Sequence, residues 1–214
     1  MGTRQRLILL GAGGQGRVVA DIALHTGLYS EIGFLDDDQG VAGTGLPFPL
    51  LGSFSEYGKW LGEADFAVAI GNNAVREALQ DRLTAAGASL ATLIHPRAFV
   101  AGRVTLGAGS VVMAGAVINV DAVIGRGVIV NTCASVDHDC QIGDFCHVGV
   151  GAHLSGAVHV GDRSMLGVGA VVRNNTDICA DCMVGAGAAV VSPLTEPGVY
   201  VGVPARRLYP DGAN

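Results

Sequence analysis

One histidine of this chain stands between two acids, in Asp137-His138-Asp139. A carboxylate beside an imidazole orients the ring and raises its basicity, which is what a general base needs near neutral pH. The alternative is a solvated polar corner with no chemistry. His147 follows nine residues later and is either a second functional group or a surface histidine. His25 ends a predicted helix and His95 sits in a linker beside Pro96, and both read as bland. His153 and His159 read as solvent-facing. The other candidate for chemistry is the glycine-rich segment Gly11-Ala-Gly-Gly-Gln-Gly16, which follows an apolar run and opens a predicted helix. In that place main-chain N–H groups and the start of the helix can hold a phosphate.

Strands and helices must alternate to position that loop. Apolar runs predict strands at Gln5–Leu10, Ile32–Leu35, Phe66–Ile70 and Leu90–Ile94, with helices at Arg17–Thr26 and Ala74–Ala86 and a short strand and helix before Leu61. Such alternation implies a small parallel sheet with helices on its faces. Asp36–Asp38 lies just over twenty residues past the glycine loop, as in a dinucleotide fingerprint. A nicotinamide-binding protein is therefore one reading. There is no second mononucleotide half, however, and the short sheet suits one nucleotide diphosphate better. A glycine turn with no ligand is the third reading. Gly11, Gly13 and Gly14 in the loop, and Asp36, Asp37, Asn72 and Arg76 at strand ends, are the candidates for substrate contacts.

The acid-flanked histidine lies in a different kind of sequence. From Thr105 to Leu194, fifteen consecutive six-residue blocks carry an aliphatic residue in second place, from Leu106, Val112 and Ile118 through to Val190. A period of six fits neither an isolated helix nor a plain strand. It fits a coil with three short flat sides, in which residues eighteen apart stack in neighbouring turns. Four places after each aliphatic residue comes a mostly small one, such as Ala116, Ala134, Cys140 or Ala152, which suits a crowded inner corner. One coil cannot bury its inner face alone, so stacking supplies the core. A β-sandwich is the alternative, but its strands are longer and less evenly spaced. Residue 138 plus eighteen is Gly156, so stacking sets Gly156 beside His138. There the glycine admits a substrate to the backbone, and its N–H could stabilise an oxyanion.

The chain has 214 residues, of which half are hydrophobic and 15% charged, with a net charge of −6. That balance, with no basic run, argues against nucleic acid as a partner. No apolar stretch has membrane-spanning length and no signal peptide is visible, so the expected location is cytoplasmic, without membrane insertion. Five cysteines are present, and Cys179-Ala-Asp-Cys182 has the spacing of a metal or redox pair. Cys140, Cys146 and Cys182 hold the small-residue place of their blocks, so they read as apolar fillers and no metal is expected. The predicted domains are 1–92, small and α/β, and 93–214, all-β.

The hexads, the loop Gly11–Gly16, the turn Gly71-Asn72-Asn73, the stretch Val136-Asp-His-Asp139 and the closing Gly202-Val-Pro-Ala-Arg206 together resemble the bacterial sugar O- and N-acetyltransferases. Within that sialic acid O-acetyltransferase-like group, the likeness is greatest to the N-acetyltransferases of nucleotide-linked 4-amino sugars. It covers nearly the whole chain. The hexads alone indicate only the broad acyltransferase class; the glycine loop joined to the acid-flanked histidine is more specific. The resemblance implies a Rossmann-like half domain followed by a left-handed parallel β-helix. It also implies a homotrimer, with acetyl-CoA between adjacent β-helices and the nucleotide-sugar on the N-terminal domain. By the same resemblance His138 is the general base, Asp139 orients it, and Asn131 lies nearby. His147, Gly156, Gly167, Gly185 and Arg206 fall to the acetyl-CoA site, with the Gly156 N–H on the thioester oxygen. Several relatives carry a histidine in the glycine loop where this chain has Gln15, which leaves any imidazole role there unfilled. O-acetylation of a sialic acid or another sugar hydroxyl, and a non-catalytic nucleotide-binding scaffold, are the alternatives.

Overall fold

The computed structural model describes residues 4–208. The chain forms two compact units that divide at Pro96/Arg97, against an expected boundary at 92/93.

The first unit comprises β1 (Arg4–Leu10), α1 (Gly14–Thr26), β2 (Tyr29–Leu35), β3 (Leu50–Gly52), β4 (Asp65–Val68), α2 (Asn73–Ala85) and β5 (Ser89–Leu90). The strands are parallel, in the order β3-β2-β1-β4-β5. Leu7 to Leu10 are buried without a break, because helices cover both faces of a parallel sheet. Ile8, Leu10, Phe66 and Val68 pack with Leu79 and Leu83 of α2. On the other face Gly16 of α1 comes against Phe34 and the Gly11 carbonyl. The strand order reverses about β1, so the loops after β1 and β4 flank a crevice at the carboxyl ends of the strands, the usual ligand position in open α/β sheets. The glycine loop and the Gly71-Asn72-Asn73 turn are those two loops. The run expected as one strand, Leu90–Ile94, is broken into Ser89–Leu90 and Leu93–Ile94.

The second unit is a parallel β-helix. Each hexad makes a two-residue strand, or three residues at Cys182–Val184, and each strand pairs with the one eighteen residues away. One face runs Phe99–Val100, Val117–Ile118, Ser135–Val136, His153–Leu154, Val171–Val172 and Ala189–Val190. The next runs Thr105–Leu106, Val123–Ile124, Gln141–Ile142, His159–Val160 and Asp177–Ile178. The third includes Val111–Val112, Ile129–Val130, His147–Val148, Met165–Leu166 and Cys182–Val184, and ends on Gly198–Val201 with an antiparallel return at Arg206–Leu208. The second-place aliphatics and the small residues four places on form one buried column. Cys140, Cys146 and Cys182 belong to that column as fillers.

The corners between residues 109 and 187 turn on one device. From residue 109 to 187 the fifth place of each hexad has a left-handed backbone, with φ between 53° and 75°. Glycine occupies six of these places, at 109, 115, 127, 151, 169 and 187. The other eight hold Asp121, Cys133, Asp139, Phe145, Ala157, Arg163, Asn175 and Asp181. A side chain in that conformation costs about 1–2 kcal/mol, less for Asp and Asn. The stacked rungs over-determine the turn and hold it there.

Candidate functional site

His138 occupies the corner between Ser135–Val136 and Gln141–Ile142 and is 55% exposed at its side chain. Its main-chain N–H donates to Asp137 Oδ1 at 2.8 Å, and its Nδ1 meets Asp139 Oδ2 at 2.7 Å. With the ring proton on Nδ1 shared with that carboxylate, Nε2 carries the lone pair. The Asp139 hydrogen bond raises the imidazole pKa, slight desolvation opposes it, and the charges of Asp137 and Asp139 add to the rise. The hydrogen bond depends on the left-handed turn, since Asp139 takes φ 59°.

The rung above sets Gly156 against the ring. A Cβ on residue 156 would lie 2.5 Å from both Cε1 and Nε2 of His138, so the imidazole needs a glycine there. The Ala157 N–H donates to the His138 carbonyl at 2.9 Å and fixes this register. The Gly156 N–H itself has no hydrogen-bond partner among the described residues.

Asn131 follows Ile129–Val130 at the preceding corner. Its Nδ2 lies 2.9 Å from His147 Nε2, and its Oδ1 accepts from the Thr132 N–H at 2.8 Å. His147 is 8% exposed. The pair therefore stands one corner away from His138. Gly167 and Gly185 stack on the same column, where a Cβ would meet Val184 O at 2.7 Å and Val201 Cγ1 at 2.9 Å respectively. Arg206 is exposed and donates to the Ala205 carbonyl. Exposed His153 and His159 pair with Ser135 and Asp177.

In the first unit, Gly11 has φ +110° and lies against Ala69 O, where a Cβ would sit at 2.8 Å. Gly13 and Gly14 border open space. Gly13 caps α1 without a side-chain hydrogen bond, and the first turn holds no acid. Helix N–H groups and the positive end of the dipole are thus left for an anion. Asp36 uses both carboxylate oxygens as braces, one on the Ala12 N–H (2.8 Å) and one on the Asp38 N–H (2.9 Å). Asp37 accepts from the Phe54 N–H, and Asn72 caps α2 through the Val75 N–H. Arg76 is 1% exposed, and its guanidinium donates to the carbonyls of Ile70 and Gly71 and to Asn73 Oδ1. It shapes the turn after β4 from beneath and offers no open charge to solvent. Gln15 Nε2 is buried and has no hydrogen-bond partner among the described residues. Two cavities of about 310 and 400 Å³ are lined in part by Arg6, Glu31, Asp65 and Ser89, at the other end of the sheet from the glycine loop.

Two features escaped the sequence reading. Asn119, one rung below, donates from Nδ2 to Asp137 Oδ1 at 2.8 Å; subtracting eighteen from 137 was the available signal. His25 and His95, set aside singly, meet with ring centroids 5.4 Å apart, beside Asp21. Cys179 and Cys182 bring their sulfurs to 3.4 Å, and burial foremost pushes the Cys182 thiol up to about 12. No helix among the described residues is long and apolar enough to cross a membrane.

Comparison with known proteins places this arrangement. Residues 6–83 match the PglD N-terminal domain. The UDP-N-acetylbacillosamine N-acetyltransferase of Bacillus subtilis is 45% identical over 49 residues, a stretch that spans 23% of either chain. The acetyltransferase domain of PglB from Neisseria gonorrhoeae, solved in complex with acetyl coenzyme A, has a TM-score of 0.92 and 42% identity, and the match covers 97% of this chain and 100% of that one. PerB from Caulobacter crescentus, solved with CoA and GDP-perosamine, has a TM-score of 0.86 and 38% identity over 95% of this chain and 97% of that one. With identity and coverage at that level, the chain belongs to the family of these sugar acetyltransferases, built as a Rossmann-like half domain followed by a left-handed parallel β-helix.

Proposed function

We propose that the chain moves an acetyl group from acetyl-CoA to the amine of a nucleotide-linked 4-amino-deoxy sugar, with His138 as general base. The observation that carries this reading is the His138–Gly156 contact. It joins a basic nitrogen, Nε2, to a main-chain N–H without a partner among the described residues, one for the proton and one for the oxyanion. The acceptor class follows from the likeness to proteins solved with acetyl coenzyme A and with GDP-perosamine.

In this mechanism the sugar nitrogen attacks the thioester carbonyl, and the C–N bond forms as the proton passes to His138 Nε2. Asp139 stabilises the imidazolium through Nδ1. The Gly156 N–H holds the oxyanion until the C–S bond breaks. The thiolate departs with little acid help, since thiols have a pKa near 8.5, and the imidazolium returns its proton to sulfur or solvent. No acyl-enzyme is needed, and Cys140 is unsuited to one: burial, first among the causes, raises its thiol pKa.

The anion-ready start of α1 takes the diphosphate, with Gly11, Gly13 and Gly14 around it and Asp36, Asp37, Asn72 and Arg76 shaping the rim. Gln15 then faces the sugar. His138 and the Asn131–His147 pair belong to successive corners of one chain, which fits a site completed by a second copy. By its resemblance to the sugar acetyltransferases the reading also includes a homotrimer, with His147, Gly167, Gly185 and Arg206 along the acetyl-CoA cleft.

The test is a thiol-release assay with acetyl-CoA against UDP-, GDP- and dTDP-linked 4-amino sugars and free sialic acid, with light scattering for the assembly. Release with one amino sugar and a mass near three chains is expected. Release with sialic acid alone would move the acceptor to a hydroxyl. No release with any acceptor, from folded protein, would leave a binding scaffold.

A further inference from the structure

We infer that Asn119 is a positioning residue for the proposed base, acting one rung away through the carboxylate of Asp137. The inference rests on His138 serving as that base.

The geometry is a three-residue clamp. Asn119 is locked in its rung, since its main-chain N–H donates to the Val136 carbonyl at 2.9 Å. Its side-chain amide then donates to Asp137 Oδ1 at 2.8 Å. The same oxygen accepts the main-chain N–H of His138, also at 2.8 Å. Asp137 is thereby held from two sides, and it in turn holds the backbone from which the imidazole projects. The amide of Asn119 can only donate through Nδ2, so the partner it favours is an ionised carboxylate.

The electrostatics agree. The Asn119 hydrogen bond is the largest influence holding the Asp137 pKa below its ordinary range, followed by the His138 N–H. Asp137 is therefore an anion wherever the imidazole titrates, and its charge favours the protonated ring. Among the described residues, the charges acting on His138 are those of Asp139 and Asp137. The neighbouring rungs face it with Gly156 above and with Val120 and Asn119 below, none of them charged. Asp139 tunes the ring from the side; Asn119 fixes the other carboxylate, which would otherwise swing on an exposed corner.

The test compares wild type with Asn119→Ala, Asn119→Asp and His138→Ala, by steady-state kinetics across pH, thermal melting, and NMR titration of the His138 ring. In Asn119→Ala we expect kcat to fall about three- to thirty-fold, since only part of the loss of one hydrogen bond to a charged group reaches the ring through Asp137. KM for acetyl-CoA should hardly move, the melting temperature should hold, and His138 should titrate at lower pH. In Asn119→Asp two carboxylates oppose each other across the rungs, and kcat should fall at least as far. Unchanged kcat and an unchanged His138 titration in Asn119→Ala would overturn the proposal. So would a lower melting temperature with the titration unmoved, because that is a purely structural ladder. Near wild-type turnover in His138→Ala would instead remove the base itself, and with it the need for a positioning residue.

Discussion

Asp139 adopts a left-handed backbone angle, and from that position its carboxylate reaches Nδ1 of His138 at 2.7 Å. The same place in six other hexads holds glycine. Chemistry and turn thus make opposite demands on residue 139. Asp139→Gly should leave stability unchanged or raise it by up to about 1 kcal/mol, because the left-handed turn no longer carries a side chain. It should lower kcat by roughly ten- to a hundred-fold, because the imidazolium loses its partner. Thermal melting and turnover on one preparation check both halves. A variant that is less active and clearly less stable would contradict the first half.

Gly156 is the tightest constraint on the site. Gly156→Ala puts a methyl group 2.5 Å from two ring atoms of His138, a distance at which one of them must move. The backbone of a stacked rung has little freedom, so the imidazole is displaced. We expect turnover to fall by about two powers of ten or more, with acetyl-CoA affinity and circular dichroism close to wild type. Turnover within three-fold of wild type would mean that the ring does not work from this position.

The pH dependence has a definite sign. His138 has its pKa raised in the folded chain above the ordinary 6.5, chiefly by Asp139. A base must be unprotonated to act, so kcat/KM for the amino sugar should climb with pH through a midpoint above 6.5. Asp139→Asn should move that midpoint down. Linkage runs the other way for stability: a raised histidine pKa stabilises the fold fully below the unfolded value and ceases to do so as pH rises through the folded one. Asp137, whose pKa is lowered, stabilises above its unfolded value and loses that effect as acid is added. A rising limb centred below 6.5 would remove His138 as the titrating group.

Asp36 braces the glycine loop more than it waits for a ligand. Asp36→Asn keeps one oxygen acceptor, so either the Ala12 or the Asp38 N–H loses its carboxylate. The expected cost is about 1 kcal/mol of stability. A larger effect should appear in the KM for the nucleotide-sugar, up roughly five- to twenty-fold, with KM for acetyl-CoA steady. Equal rises in both would place Asp36 outside nucleotide recognition.

These cases show what a bare sequence carries. The solenoid was legible because every rung needs an aliphatic residue inside, and the phase of Leu106 through Val190 records that need. The Gly156–His138 contact was legible for the same reason: stacking turns a difference of eighteen into adjacency. The left-handed corners were not, since Phe145 and Arg163 occupy them without any compositional mark. Arg76 and Asp36 were legible as residents of the strand-end loops, but whether their side chains reach outward or fold back onto carbonyls and N–H groups depends on packing. The break in the run from Leu90 to Ile94 is likewise a tertiary decision: the Ala91 N–H completes the β4–β5 ladder on the Phe66 carbonyl, and the pairing with β4 ends there.

The regular corner every six residues also governs how such a gene can change. Loss of one codon between 119 and 156 would shift every later side chain by one place, exposing the aliphatics and breaking either the Asn119–Asp137 or the His138–Gly156 register. Loss or gain of eighteen codons beyond that stretch would remove or add a whole turn and leave the rungs of His138 and Gly156 as they were. Drift in length along this half of the protein should therefore come in steps of a full turn.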